Sequence, residues 1–240
     1  MTKDLSISVC VPAFNEESNI DNAVEELFNT LSRCLDKFEI IIVDDGSIDL
    51  TGELAERLSK KHDQIKLIKH TENLGIGRCY RDALRIAEGK YFTWFPSDGE
   101  DTAEEILQCI ILAEGGAIVT SYHTAYDRRS ALRRMLSSLY TLILNTLFDQ
   151  QLKYYNGLSV VLTQRARAMT LVSDGFFCNA EIILRAVKSG CRVIEMETPL
   201  AKRHSGRSKA LTFGSFKRAA KDFIRILRVR KVSASAMPSG

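Results

Sequence analysis

EIIIVDDGS, residues 39–47, sets four consecutive branched apolar residues ahead of two acids and a glycine. An unbroken branched run suits a parallel strand buried on both faces, and the acids with Gly46 halt it. Upstream, Ile7, Val9 and Val11 alternate with Ser6, Ser8 and Cys10, the period of a strand, until Pro12 ends it. Asn15 or Ser18 then caps a helix predicted through about Cys34. Downstream the pattern keeps alternating: a helix near 50–62, a strand at 65–69, a helix near 76–88, a strand at 90–95, a helix near 103–113 and a strand at 116–121. Such spacing reads as βαβ units wound into an α/β domain with a mostly parallel sheet.

With 240 residues and 45% apolar content the chain can fill one large core, which excludes a disordered tail or a disulfide-stapled miniprotein. Its net charge of +3 hides a split. Residues 202–231 hold eleven basic residues and one acid, Asp222, for +10, while the remainder has 22 basic and 29 acidic residues, for −7. The six cysteines are scattered, without a Cys-X-X-Cys pair, and read as small core residues in a reducing cytosol. The opening MTKDLSISV lacks the pattern of a signal peptide, and LSSLYTLILNTLF at 136–148 is too short to cross a bilayer of about 30 Å. The expected location is cytoplasmic, and no nucleic-acid partner is indicated.

In open α/β sheets, ligands bind outside the carboxyl ends of the strands. Pro12-Ala13-Phe14-Asn15-Glu16 follows the first strand, Asp44-Asp45-Gly46-Ser47 the second, and Pro96-Ser97-Asp98-Gly99-Glu100-Asp101 the fourth. Three acidic loops are therefore expected on one rim, where their repulsion calls for a cation or for N–H donors. Asp98 and Glu100 are hard oxygen ligands suited to magnesium or manganese. Read without a metal, the acids from Asp98 to Glu105 complement the positive end of the helix that begins there, and Asp44 and Asp45 turn the chain and cap the next helix. A nucleotidyltransferase or a dinucleotide dehydrogenase would want a glycine-rich loop straight after the first strand, and VPAFNEE has none.

Taken in order, VPAFNEE, IVDDGS, NLGIG at 73–77, the acidic loop and KRHSGRSKA at 202–210 resemble the inverting glycosyltransferases of family two. Within it the chain looks like the polyprenyl-phosphate sugar transferases, of which dolichol-phosphate mannose synthase is the best known. The resemblance covers roughly residues 5–230. It implies a glycosyltransferase-A, Rossmann-like fold with a C-terminal helical annex, a nucleotide-sugar donor and Mg2+ or Mn2+. It implies that Pro12, Phe14 and Glu16 hold the nucleoside, that Val43 and Asp45 read base or ribose, and that Ser97 and Asp98 lie at the donor. Asp98 matches the second acid of the metal-binding Asp-X-Asp motif, and Glu100 the polar residue two further on. Arg203 and Lys209 match basic residues that close over the diphosphate, making Asp98, Arg203 and Lys209 the expected catalytic set. A diphosphate leaving group needs such cations. On the acceptor side, Arg133 and Ser137 match an Arg and a Ser used for the acceptor phosphate, and Glu181 lies in FFCNAEIILRA (176–186), similar to the family's acceptor-side helix.

Two departures stand out. Pro96 replaces the first acid of Asp-X-Asp, which puts metal affinity in question. Tyr122 and His123 stand where relatives of the mannose synthase carry an Arg after the fifth strand. Family members also continue into transmembrane helices or a membrane partner, whereas here residues 213–231 read as a basic amphipathic helix suited to an anionic leaflet or, alternatively, to packing on the domain. The expected division is a catalytic domain over 1–211, the amphipathic helix over 212–231 and a disordered tail over 232–240. The expected activity is inverting transfer to a polyprenyl phosphate at the inner membrane face. Alternatives are a soluble hydroxyl acceptor, with Asp101 or Glu181 as base, and a sugar-nucleotide-binding protein that has lost transfer.

Overall fold

The computed structural model describes residues 5–97, 102–123, 131–175 and 177–198. In chain order these give β1 (Ser6–Ala13), α1 (Ile20–Cys34), β2 (Lys37–Asp44), α2 (Thr51–Lys61), β3 (Ile65–Lys69), α3 (Ile76–Ile86) and β4 (Tyr91–Trp94). The second half follows with α4 (Ala103–Leu112), β5 (Ile118–His123), α5 (Ala131–Phe148), β6 (Ser159–Leu162), α6 (Thr163–Ala168), α7 (Phe177–Lys188) and β7 (Val193–Thr198). The strands form one sheet in the order β3-β2-β1-β4-β6-β5-β7, parallel except for β6, which runs against both β4 and β5.

The branched run behaves as its composition demands. Ile40, Ile41, Ile42 and Val43 are all fully buried, alternating between the two faces of the sheet. Ile40 and Ile42 join a core with Val24, Leu27 and Leu31 of α1, Leu58 of α2 and Ile106 of α4. Ile41 and Val43 join the opposite core with Tyr80 and Leu84 of α3 and Ile182 and Ile183 of α7. Helix α1 begins later than either predicted cap: the Glu16 carbonyl accepts the Asn19 and Ile20 N–H groups at 2.9 Å each, so the backbone of the preceding loop does the work of a side-chain cap.

The chain winds outward from β1 through β2 to β3, then crosses back to β4 on the other side of β1. That reversal is a topological switch point, and it opens a crevice beyond the carboxyl ends of β1 and β4. Because β6 is antiparallel, its amino end meets the same rim as the carboxyl ends of β5 and β7. Two close approaches tie the rim to its underpinnings. A Cβ on Gly77, in the first turn of α3, would lie 2.1 Å from the Ser173 carbonyl oxygen, and one on Gly46 would lie 2.4 Å from the Glu72 carbonyl carbon. Gly46 also has a φ of +73°, which suits a residue without a Cβ.

Candidate active site

The loops after β1 and β2 are stitched into one surface. The Asn15 N–H donates to Ser47 Oγ at 3.0 Å, the Ile48 N–H to Asn15 Oδ1 at 2.9 Å, and the Glu16 N–H to Thr51 Oγ1 at 2.8 Å. Asn15 adopts a φ of +53°, a left-handed turn that asparagine tolerates. After this turn Phe14 is exposed and Pro12 half-buried, both at the carboxyl end of β1. Glu16 is half-buried, and its Oε2 accepts from Asn19 Nδ2 at 2.8 Å. On the other side of the crevice, Phe95 and Ser97 are buried at the end of β4, and the Phe95 N–H donates to the Cys10 carbonyl.

The structure changes the part that the IVDDGS acids can play. Asp44 is buried on the α2 side, where its Oδ1 accepts the Ser47 N–H at 3.1 Å. Asp45 is only 3% exposed and points the other way. Its Oδ1 accepts the Leu74 N–H at 2.9 Å and lies 2.7 Å from His70 Nδ1, while its Oδ2 accepts the Gly75 N–H at 2.8 Å. The His70 side chain is 7% exposed, and its other ring nitrogen lies 3.3 Å from the Asp82 carboxylate. Val43 is fully buried. Asp45 pins the NLGIG segment to the end of β2, a structural use of that motif that its glycines alone did not show.

Asp45, His70 and Cys79 form the one cluster of metal-ligating side chains among the described residues. Its donor set does not suit Mg2+ or Mn2+, which want carboxylate and water oxygens. Burial, and next the charge of Asp45, push the Cys79 thiol well above its ordinary pKa, so the sulfur keeps its proton. Asp98, Glu100, Asp101, Arg203 and Lys209 lie outside the described residues, as does the side chain of Arg133.

On the acceptor side, Ser137 is half-buried on α5. Glu181 is 2% exposed on α7, and its carboxylate takes the Val172 N–H at 3.1 Å, the Ser173 N–H at 2.9 Å and Arg185 Nε at 2.7 Å. It braces the loop at 171–174, which Arg81 grips again through the Ser173 carbonyl and the Asp174 carboxylate. A carboxylate so committed is poorly placed to take a proton from a hydroxyl acceptor. At the end of β5 a cation is present after all, although β5 does not supply it. Lys153, from the loop before β6, donates to the Tyr122 hydroxyl at 2.7 Å and sits 4.3 Å from the centre of its ring. That hydrogen bond holds the Lys153 pKa above the usual lysine value, and Tyr122 in turn donates to Glu197 at 3.0 Å. Neither His70 nor Lys153 stood out in the sequence. The segment after the third strand was a place to look for the first, whereas the second comes from a loop 31 residues from its partner.

The family model "Glycosyl transferase family 2" matches residues 8–175. The chain belongs to glycosyl transferase family 2. A glycosyltransferase AglD of Haloferax volcanii is 28% identical over 202 residues, covering 80% of this chain and 32% of the relative. A dolichyl-phosphate beta-glucosyltransferase of Dictyostelium discoideum is 27% identical over 244 residues, covering 93% of this chain and 74% of the relative. The chain therefore spans about a third of the first relative's length and about three quarters of the second's. Among solved structures, glucosyl-3-phosphoglycerate synthase from Mycobacterium tuberculosis, in complex with Mn2+, uridine diphosphate and glucosyl-3-phosphoglycerate, superposes with a TM-score of 0.70. It is 17% identical, with 92% of this chain and 80% of that chain covered. The fold is that of the glycosyltransferase-A enzymes, as the strand order and the family both require.

Proposed function

We propose that this glycosyltransferase moves a sugar, with inversion, from a nucleoside-diphosphate donor to a polyprenyl phosphate at the inner face of a membrane. The observation that carries the reading is the rim itself: exposed Phe14 on a stitched loop at the switch point, with Phe95 and Ser97 buried at the end of β4 and Asp98, Glu100 and Asp101 next in sequence. A base can stack on Phe14, with Pro12 and Glu16 shaping the pocket. Asp45 acts on the donor through the loop it fixes, Val43 through the strand end that carries it, and Ser97 precedes the acids in sequence.

Asp98 and Glu100 provide hard oxygens for a divalent ion, and Pro96 leaves the shell one carboxylate short, so diphosphate oxygens and water complete it. The ion supplies positive charge where the diphosphate departs. Arg203 and Lys209 neutralise the same leaving group, Arg through a forked pair of N–H donors and Lys as a point charge. An acceptor phosphate is already ionised and needs no general base, which agrees with the internal use of Glu181. Arg133, Ser137 and Lys153 are the acceptor-side donors in this reading. The name of the Dictyostelium relative supports a lipid-phosphate acceptor.

The test is a thermal-shift screen of nucleoside diphosphates with and without Mn2+, followed by transfer to a short-chain isoprenyl phosphate. A ligand that binds only the folded state raises its stability, by about 2.7 kcal/mol at a hundredfold excess over Kd. The expected result is a nucleotide shift that EDTA removes, with little metal binding in the absence of nucleotide. Tight metal binding to the protein alone, or a nucleotide shift indifferent to EDTA, contradicts the shared shell. Nucleotide binding without transfer to any phosphate or hydroxyl would leave a sugar-nucleotide-binding protein. Arg203→Ala is expected to lower turnover by about tenfold or more while leaving vesicle binding unchanged, as loss of a charge-assisted contact to the leaving group should.

A further inference from the structure

Asp45, His70 and Cys79 reach one point from three elements: the residue after β2, the residue after β3 and the start of α3. One atom from each, a carboxylate oxygen, a ring nitrogen and a sulfur, lies within 4.8 Å of the other two. Cys79 is fully buried, and the side chains of Asp45 and His70 are 5% and 7% exposed. Each sits on or beside a regular element, which fixes a constellation better than a loop does.

His70 carries a conflict that its neighbours leave open. Nδ1 lies 2.7 Å from Asp45 Oδ1, while Nε2 is buried, has no hydrogen-bond partner among the described residues and lies 3.3 Å from Asp82 Oδ2. Both carboxylates call for a donor, and a neutral imidazole carries one N–H. The charge of Asp82 is already matched, by Arg78 Nε at 2.5 Å and Arg85 Nη1 at 2.6 Å. Asp45 takes the uncharged Leu74 and Gly75 N–H groups, and among the described residues it has no guanidinium or ammonium partner. A cation between Asp45 and Nδ1 leaves the ring proton on Nε2, where Asp82 accepts it. An acid behind a ligating histidine fixes the ring's tautomer in just this way.

We propose that Asp45, His70 Nδ1 and Cys79 Sγ bind a thiophilic divalent ion, Zn2+ above all, which fastens the NLGIG segment and α3 to the end of β2. Oxygen, nitrogen and sulfur together suit zinc, whereas Mg2+ and Mn2+ gain little from sulfur. On binding, the Cys79 S–H bond breaks and its proton passes to solvent, the imidazole proton rests on Nε2, and oxygen, nitrogen and sulfur each give an electron pair to the ion. Water takes the fourth position. Donor atoms around a tetrahedral zinc stand about 3.3–3.8 Å apart, so the present separations change by roughly an ångström. No ligand comes from segment 97–101, so this ion is distinct from the one proposed for the donor.

The full chain, stripped with a chelator and dialysed, is titrated without nucleotide, first with Co2+ as a coloured substitute and then with Zn2+. About one equivalent of Co2+ is expected to give the visible bands of a tetrahedral ion and a thiolate-to-cobalt band in the near ultraviolet, and Zn2+ is expected to erase both. Zn2+ alone should raise the melting temperature, while Mn2+ alone at the same concentration should not. Cys79→Ser is expected to lose the thiolate band, and Asp82→Asn to bind the ion about ten- to a hundredfold more weakly. Cys34→Ser, which removes the exposed thiol, should leave the spectrum as it is.

A parent without the thiolate band overturns the proposal, as does a band that survives in Cys79→Ser, a band that vanishes in Cys34→Ser, or an affinity unchanged in Asp82→Asn. Where Cys79→Ser fails to fold, the parent spectrum and Asp82→Asn still decide. Nucleotide binding with Mn2+ is read separately, so sugar transfer stands whichever way the cobalt spectrum falls.

Discussion

Asp45→Ala is expected to destabilise the folded chain by about 3–5 kcal/mol, the cost of removing one partner from a buried charged network. The methyl group would leave the Leu74 and Gly75 N–H groups and His70 without their acceptor in a site closed to water. Urea denaturation checks this, through a lower midpoint with an unchanged slope. Asp45→Asn, which keeps one acceptor oxygen, should fall between the two. Nucleotide affinity of the folded variant is expected to drop only through slackening of the loop. An Asp45→Ala protein of parental stability that has lost nucleotide binding would place the carboxylate on the ligand instead.

Asp98→Asn is expected to lower sugar transfer by about a hundredfold to a thousandfold, the scale on which removal of a group that stabilises developing charge is felt. In the proposed metal shell Pro96 leaves no second Asp, so the effect is expected to be the larger. The same variant should lose the Mn2+ dependence of its nucleotide shift while its melting temperature without ligand stays near the parent's. Steady-state transfer at saturating Mn2+, set beside the thermal shift, separates a defect in metal retention from one in folding. Full activity in the variant would mean that the substitution at Pro96 marks a site no longer built around a metal.

The first nine elements, from β1 to β5, could be read because each is decided locally. Four branched residues in a row admit only a strand buried on both faces, and the apolar spacing of Ile20, Val24, Leu27 and Leu31 admits only a helix lying on it. Antiparallel β6 escaped, since SVVL is four residues long and its direction depends on which gap in the sheet it fills. At the site, Phe14 is exposed on the loop after β1, and its part at the donor remains a proposal. The sense of Asp45 did not: consecutive acids at the end of a strand look alike in sequence, but alternation sends one side chain toward α2 and the other toward α3, where backbone donors from 74 and 75 are waiting. The partners of Glu181 were hidden for a related reason, because a carboxylate on a helix discloses nothing of the loop that folds back to meet it.

The contact between Gly77 and Ser173 joins parts of the molecule that the chain keeps 96 residues apart. From Asp45 the linkage runs through Gly75 to the first turn of α3, across the gap where Gly77 has no side chain to the Ser173 carbonyl, and on to Glu181 in α7. The segment after β3 and the loop before α7 are therefore keyed into each other like adjoining courses of masonry. A sequence drifting toward a new acceptor by reshaping 171–175 must keep a glycine at 77, and one drifting toward a new nucleotide by reshaping 73–77 must respect a carbonyl contributed from the far half of the chain. If the two segments serve donor and acceptor as proposed, their substrate preferences are not free to diversify independently, and the hinge of that constraint is a hydrogen atom where any other residue would carry carbon.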